Sequence, residues 1–373
     1  MKLILDCTPL ANWTGHATGI QRVVIEISNR LREMLPNAYL GFFDEAGNCL
    51  RYDLNTRMTG EPIEVVPGDM ILTAGSNWDF PPHHQRLMQL KREGVLISTV
   101  FHDIIPMLLP FSYGPGFSKI YATWFKEALA TTNIAFSVSE NTKRDIAHYA
   151  KQHDIPLPPI FSIRLGDDMP LSDESPSTAI LDLCSQSYIL SVGTIEYRKN
   201  HLLLLNAYRY MIDVQGYEPP KLYIVGKKAW LDQDIEYQID NDPRLTGRIV
   251  VLKGLTDADL AHLYGNAMFT VYPSFYEGWG LPIAESLCFG KPCIASNTSS
   301  MVEIGPGLVH HAHPLLVNEW VAAIRRFVDN PQELEAAGNL IRQGYQKRSW
   351  QDTALKIRDV LVEHYPDLQG RGQ

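Results

Sequence analysis

Glu277 and Glu285 stand eight positions apart in Tyr272-Pro-Ser-Phe-Tyr-Glu277-Gly-Trp-Gly-Leu-Pro-Ile-Ala-Glu285, which runs on to Gly290-Lys-Pro-Cys-Ile-Ala-Ser296. The apolar run Phe269 to Tyr272 reads as a strand. It ends in a Gly-rich turn (Gly278, Trp279, Gly280, Leu281) and a short helix opening near Pro282, a residue suited to the first helical turn. Gly290 falls at a helix C-cap, and Lys291-Pro292 leads into another strand. A strand, a Gly-rich turn and a helix N-terminus in succession expose backbone N–H groups to a phosphate. Ionised carboxylates accept hydrogen bonds only, so a glutamate on either side of that site suits a ligand rich in hydroxyl donors.

The elements that hold these residues alternate. In the first half, strands are expected at Lys2–Leu5, Met70–Thr73, Val95–Phe101, Ile134–Ser137 and Ile160–Ile163, and helices at Ile20–Leu35, His84–Arg92, Ser118–Leu129 and Asn141–Lys151. The second half repeats the pattern. Its expected strands are Tyr188–Val192, Lys221–Val225, Ile249–Leu252, Phe269–Tyr272 and Pro292–Ala295, and its expected helices His201–Ile212, Asp257–Tyr264, Pro282–Phe289 and Glu319–Val328. Such alternation reads as βαβ units and parallel sheets. At 373 residues the chain exceeds one comfortable core. The expected division is 1–165, a Ser/Asp/Pro-rich linker at 166–180, 181–350, and a C-terminal segment 351–373.

The Glu-x7-Glu element with Glu-Gly-x-Gly-Leu-Pro inside it and Gly-Lys-Pro after it resembles the family-4 retaining glycosyltransferases. That resemblance implies the α/β GT-B fold: two Rossmann-like doubly wound domains facing across a cleft, with the C-terminal helix crossing back to the first domain. It implies a hexosyltransferase that uses a nucleotide sugar, with no metal and no other cofactor. The helix run Gly19-Ile-Gln-Arg-Val-Val24 together with Tyr-Glu-Gly-Trp-Gly-Leu-Pro resembles bacterial mannosyl- and hexosyltransferases of O-antigen or exopolysaccharide assembly. GDP-mannose is the expected donor, with UDP-hexoses open, and a glycan or polyprenyl-pyrophosphate-linked oligosaccharide the expected acceptor. Two other readings stand beside it: a non-transferring GT-B enzyme (epimerase or phosphorylase), and a catalytically silent nucleotide-sugar-binding partner of an assembly complex.

The resemblance also assigns roles. In Ser191-Val-Gly-Thr-Ile-Glu-Tyr-Arg198-Lys199, Arg198 and Lys199 face the leaving diphosphate, whose growing charge fixed cations stabilise. Thr194 departs from the pattern, since many members carry an arginine there; Arg198 is the candidate substitute. His102, at the end of the strand before Asp103, is placed beside the donor sugar. Glu277 takes the sugar hydroxyls and Glu285 the ribose. Gly19, Gly193, Gly226 and Gly254 are expected to line the donor, Gly226 by letting the ligand approach the backbone. Gly278, Trp279, Gly280 and Leu281 complete that set. The Trp13–Gly19 loop fits neither a dinucleotide fingerprint nor a P-loop.

Composition narrows the partners. A net charge of −9 argues against a nucleic-acid surface. Residues 1–165 carry 15 Lys and Arg against 16 Asp and Glu, and residues 166–373 carry 18 against 26. The first half is therefore the half suited to peripheral contact with an anionic membrane. Five scattered cysteines without metal spacing suggest reduced thiols. No apolar run reaches spanning length, and Met1–Asp6 is too short for a signal-peptide core. A cytoplasmic protein, some of it at the inner membrane face, is the expectation.

Overall fold

The computed structural model describes residues 1–10, 19–169, 174–229, 231 and 233–369. Residues 13–18 of the expected loop and 170–173 of the expected linker lie outside these. Two compact units result: residues 1–108 with 116–166 and 348–373, and residues 109–115 with 167–347.

Among the described residues the first unit holds eight strands: β1 (Leu3–Asp6), β2 (Ala38–Phe43), β3 (Cys49–Tyr52), β4 (Thr59–Pro62), β5 (Met70–Thr73), β6 (Leu96–Phe101), β7 (Ile134–Ser137) and β8 (Ile160–Ser162). Their order is β4-β3-β2-β1-β5-β6-β7-β8. β3 runs antiparallel to both neighbours, and the remaining pairs are parallel. The β2–β4 extension was not expected from the sequence. The helix Trp350–His364 packs on the helix Ile20–Met34 within this unit. Ser349 and Asp352 form its capping box, and Thr353 Oγ1 donates to the Arg164 carbonyl at 2.7 Å. Gly166 makes room for it, because a Cβ there would lie 2.5 Å from the Trp350 ring.

The second unit holds β9 (Tyr188–Val192), β10 (Lys221–Val225), β11 (Ile249–Leu252), β12 (Thr270–Tyr272), β13 (Cys293–Ser296) and β14 (His310–Ala312). All pairs are parallel, in the order β11-β10-β9-β12-β13-β14. This is the Rossmann order, with the strand order reversing between β9 and β12. The strands are near-continuous apolar runs because helices cover both faces. Tyr208 and Trp320 are fully buried in the core on one face, with Phe269, Val271 and Ile294. The expected linker is shorter than the sequence implied. A helix, Thr178–Leu183, starts within it, and the Ser177 N–H is held by Asp259 Oδ1 at 2.7 Å.

Candidate active site

In a doubly wound sheet, ligands sit beyond the strand C-termini where the strand order reverses. In the second unit that point is shared by the segments after β9 and β12. After β9 come Gly193, Thr194 and a 3-10 turn, Tyr197–Lys199. Asn200 follows in the left-handed region (φ 57°) and opens the helix His201–Asp213. An asparagine tolerates that conformation, and here its amide is tied down. Nδ2 donates to the Pro273 carbonyl at 3.0 Å and to the Pro314 carbonyl at 2.8 Å. The Phe275 N–H donates to the Arg198 carbonyl at 2.9 Å. The two segments are thus stitched together by backbone and side-chain bonds.

Across this seam lies a buried charge network. Glu277 Oε1 accepts from Lys199 Nζ at 2.7 Å and from the Tyr272 hydroxyl at 3.0 Å. Its Oε2 lies 2.6 Å from an Arg198 guanidinium nitrogen. Lys199 Nζ also donates to the Tyr272 oxygen at 2.8 Å. Arg198 is held further by Glu196 Oε1 at 2.7 Å and by the Tyr276 carbonyl at 2.8 Å. Burial would raise the Glu277 carboxyl, but Arg198 and Lys199 overcome it and hold the pKa at about 2. Burial lowers the Lys199 amine, with Arg198 adding to the effect and Glu277 opposing it. Next to Lys199, burial and the lysine charge push His201 down to about 3, so its ring is neutral. A carboxylate has about four acceptor positions. Lys199, Tyr272 and Arg198 take three of them at Glu277, and the Ser274 hydroxyl is a further neighbour that lowers its pKa.

The turn between the two glutamates is equally braced. The Glu277 N–H donates to Ser299 Oγ at 2.9 Å. Ser300 Oγ lies 2.8 and 2.6 Å from the Glu277 and Trp279 carbonyl oxygens. Gly280 (φ 134°) caps the helix Leu281–Cys288, in a conformation suited to glycine. Glu285 is buried inside that helix, where Oε2 accepts from the Tyr264 hydroxyl at 2.9 Å.

The structure thus brings Lys199, Arg198, Glu277 and the turn Gly278–Leu281 to the β9 and β12 ends. Arg198, on the segment of Thr194, is bonded to Glu196, Tyr276 and Glu277. Gly226 follows β10. A Cβ there would lie 1.9 Å from the Gly193 carbonyl oxygen, so the close approach it permits is between two strand ends. Gly254 (φ 69°) follows β11 and has open space where a Cβ would sit. Gly19 (φ 56°) and His102 belong to the first unit. His102 is buried at the end of β6, and its Nε2 lies 2.7 Å from the Ala74 carbonyl. A carbonyl only accepts, so Nε2 carries the proton, and burial favours the neutral ring.

Tyr272, Tyr264, Asn200 and Ser299 were not singled out in the sequence. Tyr272 carried one local signal, a hydroxyl ending an apolar strand directly before Pro-Ser. The other three act through partners 21 to 114 residues away, and no short motif marks them. Among the described residues, no group of three or more His, Cys, Asp or Glu side chains is placed to hold a metal ion. No helix among them is long and apolar enough to cross a membrane.

Two parallel-sheet α/β units of this kind make up the GT-B fold. The whole chain superposes on sucrose-phosphate synthase from Thermosynechococcus elongatus with a TM-score of 0.71 at 16% identity, over 98% of each chain. Residues 184–347 match the family described as glycosyl transferases group 1. The chain is 28% identical over 261 residues to O-antigen chain mannosyltransferase B of Escherichia coli, covering 69% of this chain and 63% of that one. It is 27% identical over 333 residues to the serotype-specific mannosyltransferase WbdA of the same organism, covering 81% of this chain and 40% of that one. The matches therefore span less than two thirds of these relatives' own lengths.

Proposed function

We propose that this chain is a retaining, metal-independent glycosyltransferase. It moves mannose from GDP-mannose to a hydroxyl of a glycan or lipid-linked glycan in surface polysaccharide synthesis. The observation that carries the reading is the Lys199–Tyr272–Glu277–Arg198 network at the reversal point of the second sheet. The mannosyltransferase names of the relatives support the choice of sugar.

In this reading each group has a task. The Lys199 ammonium and the N–H groups at the start of Leu281–Cys288 face the departing diphosphate. Fixed donors aimed at developing charge lower the barrier without reorganising. Glu285 accepts from ribose hydroxyls, with Tyr264 orienting its carboxylate. Glu277 Oε2 takes a hydroxyl of the transferred sugar, while Arg198 keeps that carboxylate ionised and aimed. Acceptor attack occurs on the face from which the diphosphate leaves, and a phosphate oxygen takes the acceptor proton. Glu277 serves as a binding group in this scheme.

Nucleoside diphosphate release tests the reading, measured with GDP-mannose, UDP-glucose and ADP-glucose in the presence of chelator. GDP release that survives chelation, and an α-linked product by NMR, are the expected results. Lys199→Ala is expected to lower kcat/KM by about 100-fold, the scale for losing one preorganised donor. A β-linked product or dependence on added metal ion overturns the corresponding part. The silent-partner reading rests on Thr194 and on both cations being paired with carboxylates. Nucleotide-sugar binding with no release from any donor would establish it instead.

A further inference from the structure

A file of aromatic rings leads away from the cation pair, and the chemistry proposed above does not use it. Tyr197, directly before Arg198, is 44% exposed. Its ring packs tilted against Phe275, at 5.6 Å and 35°, and the Phe275 N–H is bonded to the Arg198 carbonyl. Tyr197 also meets Phe111 edge-on, at 5.8 Å and 90°. Phe111 is 61% exposed. It lies in residues 109–115, which pack with the second unit although the chain on both sides of them belongs to the first. Two large rings facing water beside a buried charge network mark a binding surface more than chance exposure.

We infer that Phe111, Tyr197 and Phe275 form a stacking platform for a pyranose of the acceptor glycan, an inference that rests on the proposed function. A pyranose has an apolar C–H face and a rim of hydroxyls. The flat, electron-rich face of an aromatic ring matches the first. Charge excludes a diphosphate, since none of the three rings offers a cation. Position argues against a nucleobase. The base lies two phosphates away from the breaking bond, at the ribose end marked by Glu285, whereas the rings adjoin the Arg198–Glu277 end. The acceptor must reach the same anomeric carbon that Glu277 serves, and the platform starts beside that residue.

The test uses the full chain saturated with GDP and reads binding of methyl α-mannopyranoside and a mannose oligosaccharide by saturation-transfer NMR. Both ring variants, Phe111→Ala and Tyr197→Leu, are expected to weaken oligosaccharide binding by about fivefold, the scale of one aromatic contact, with GDP affinity unchanged. Tyr197→Phe and Phe111→Trp keep a ring and are expected to retain binding, which separates stacking from misfolding. In turnover, Phe111→Ala raises the acceptor KM and leaves the donor KM alone. Oligosaccharide binding unaffected by both ring losses overturns the platform, as does loss of GDP affinity, which would make the rings a base clamp. Loss of binding to phosphatidylglycerol vesicles with sugar binding intact also overturns it, in favour of a membrane contact. Sugar binding is read without chemistry. A platform that holds sugar in a protein that never releases GDP leaves the inference standing and removes the transferase reading. Transfer with an acceptor KM insensitive to Phe111 does the reverse.

Discussion

The Tyr272 hydroxyl accepts from the Lys199 ammonium and donates to the Glu277 carboxylate, so one neutral group solvates both members of a buried ion pair. Tyr272→Phe keeps the ring and the Lys199 cation over it, 5.1 Å from the centroid, and removes both bonds. Hydrogen bonds to charged groups are worth about 1.5–3 kcal/mol, so kcat/KM is expected to fall by between about 10- and 100-fold. The sign on Lys199 is also determined. Losing an acceptor disfavours the ammonium, whose pKa burial and Arg198 already lower against the pull of Glu277 and Glu196. His201 beside it is neutral and adds no charge. The alkaline limb of the rate profile is expected to move to lower pH, and a purely structural tyrosine would leave that limb in place.

Glu277 makes a second prediction at the same scale. Its folded pKa of about 2 lies below the ordinary 4.5. A depressed carboxyl contributes stability that is complete above pH 4.5 and is lost as pH falls towards 2. With Glu277→Gln that loss disappears, so the wild-type stability curve is steeper between those pH values, by at most about 3 kcal/mol in total. At neutral pH the variant is the less stable protein, because Arg198 and Lys199 remain buried without their shared counter-charge. Urea midpoints from about pH 2 to about pH 7 for the two proteins test both signs, and parallel curves would remove Glu277 from the network's energetics.

At the scale of elements, Gly226 shows what a motif conceals. A glycine after a strand in a nucleotide-binding sheet reads from sequence as room for a ligand. Here it is room for the Gly193 carbonyl, whose oxygen lies 1.9 Å from where an alanine methyl would sit. Gly226→Ala is expected to force the β9 and β10 ends apart and to cost several kcal/mol of stability, the range of severe overpacking. Nucleotide binding would then fall through displacement of the Lys199 turn. A wild-type melting temperature in this variant would show that the strand ends have slack.

The same scale shows what was legible. β5, β7, β9, β10 and β11 lie at the residues expected, since each is built on a predominantly apolar run between polar turns. The β2–β4 extension was not. β2 is interrupted by Gly41 and shows no clean alternation, while every residue of β4 is exposed, so no burial pattern marks either one. β14 is three residues long and contains two histidines. The helix Pro331–Gly344 buries only Gly338 and Ile341 fully, too thin a stripe to read as a helix face. For the site, the turn from Glu277 to Glu285 was readable because its residues are local. The partners that orient it, Tyr264 on the preceding helix and Asn200 on another segment, depend on strand order, which periodicity does not encode.

For the whole molecule, the sheet that carries the charge network lies entirely within residues 167–347 of the second unit. A ligand of that unit that binds only the folded chain raises its stability by mass action, by about 2.7 kcal/mol at about 100 times Kd. Free nucleoside diphosphate is therefore expected to raise the melting temperature of the full chain. GDP should do so at lower concentration than UDP or ADP if the donor is GDP-mannose. Glu285 supplies the internal control. Tyr264 donates to its carboxylate across the helix, and a glutamine keeps the shape but loses the charge. With Glu285→Gln, the concentration of GDP giving half the shift is expected to rise by about 10- to 100-fold, corresponding to one charge-assisted hydrogen bond. The unliganded melting temperature is read from the same scans, which separates lost affinity from lost stability. Equal shifts with GDP, UDP and ADP would leave the base unread by the protein and remove the case for a GDP-linked donor. An unaltered GDP response in Glu285→Gln would move the ribose away from this helix.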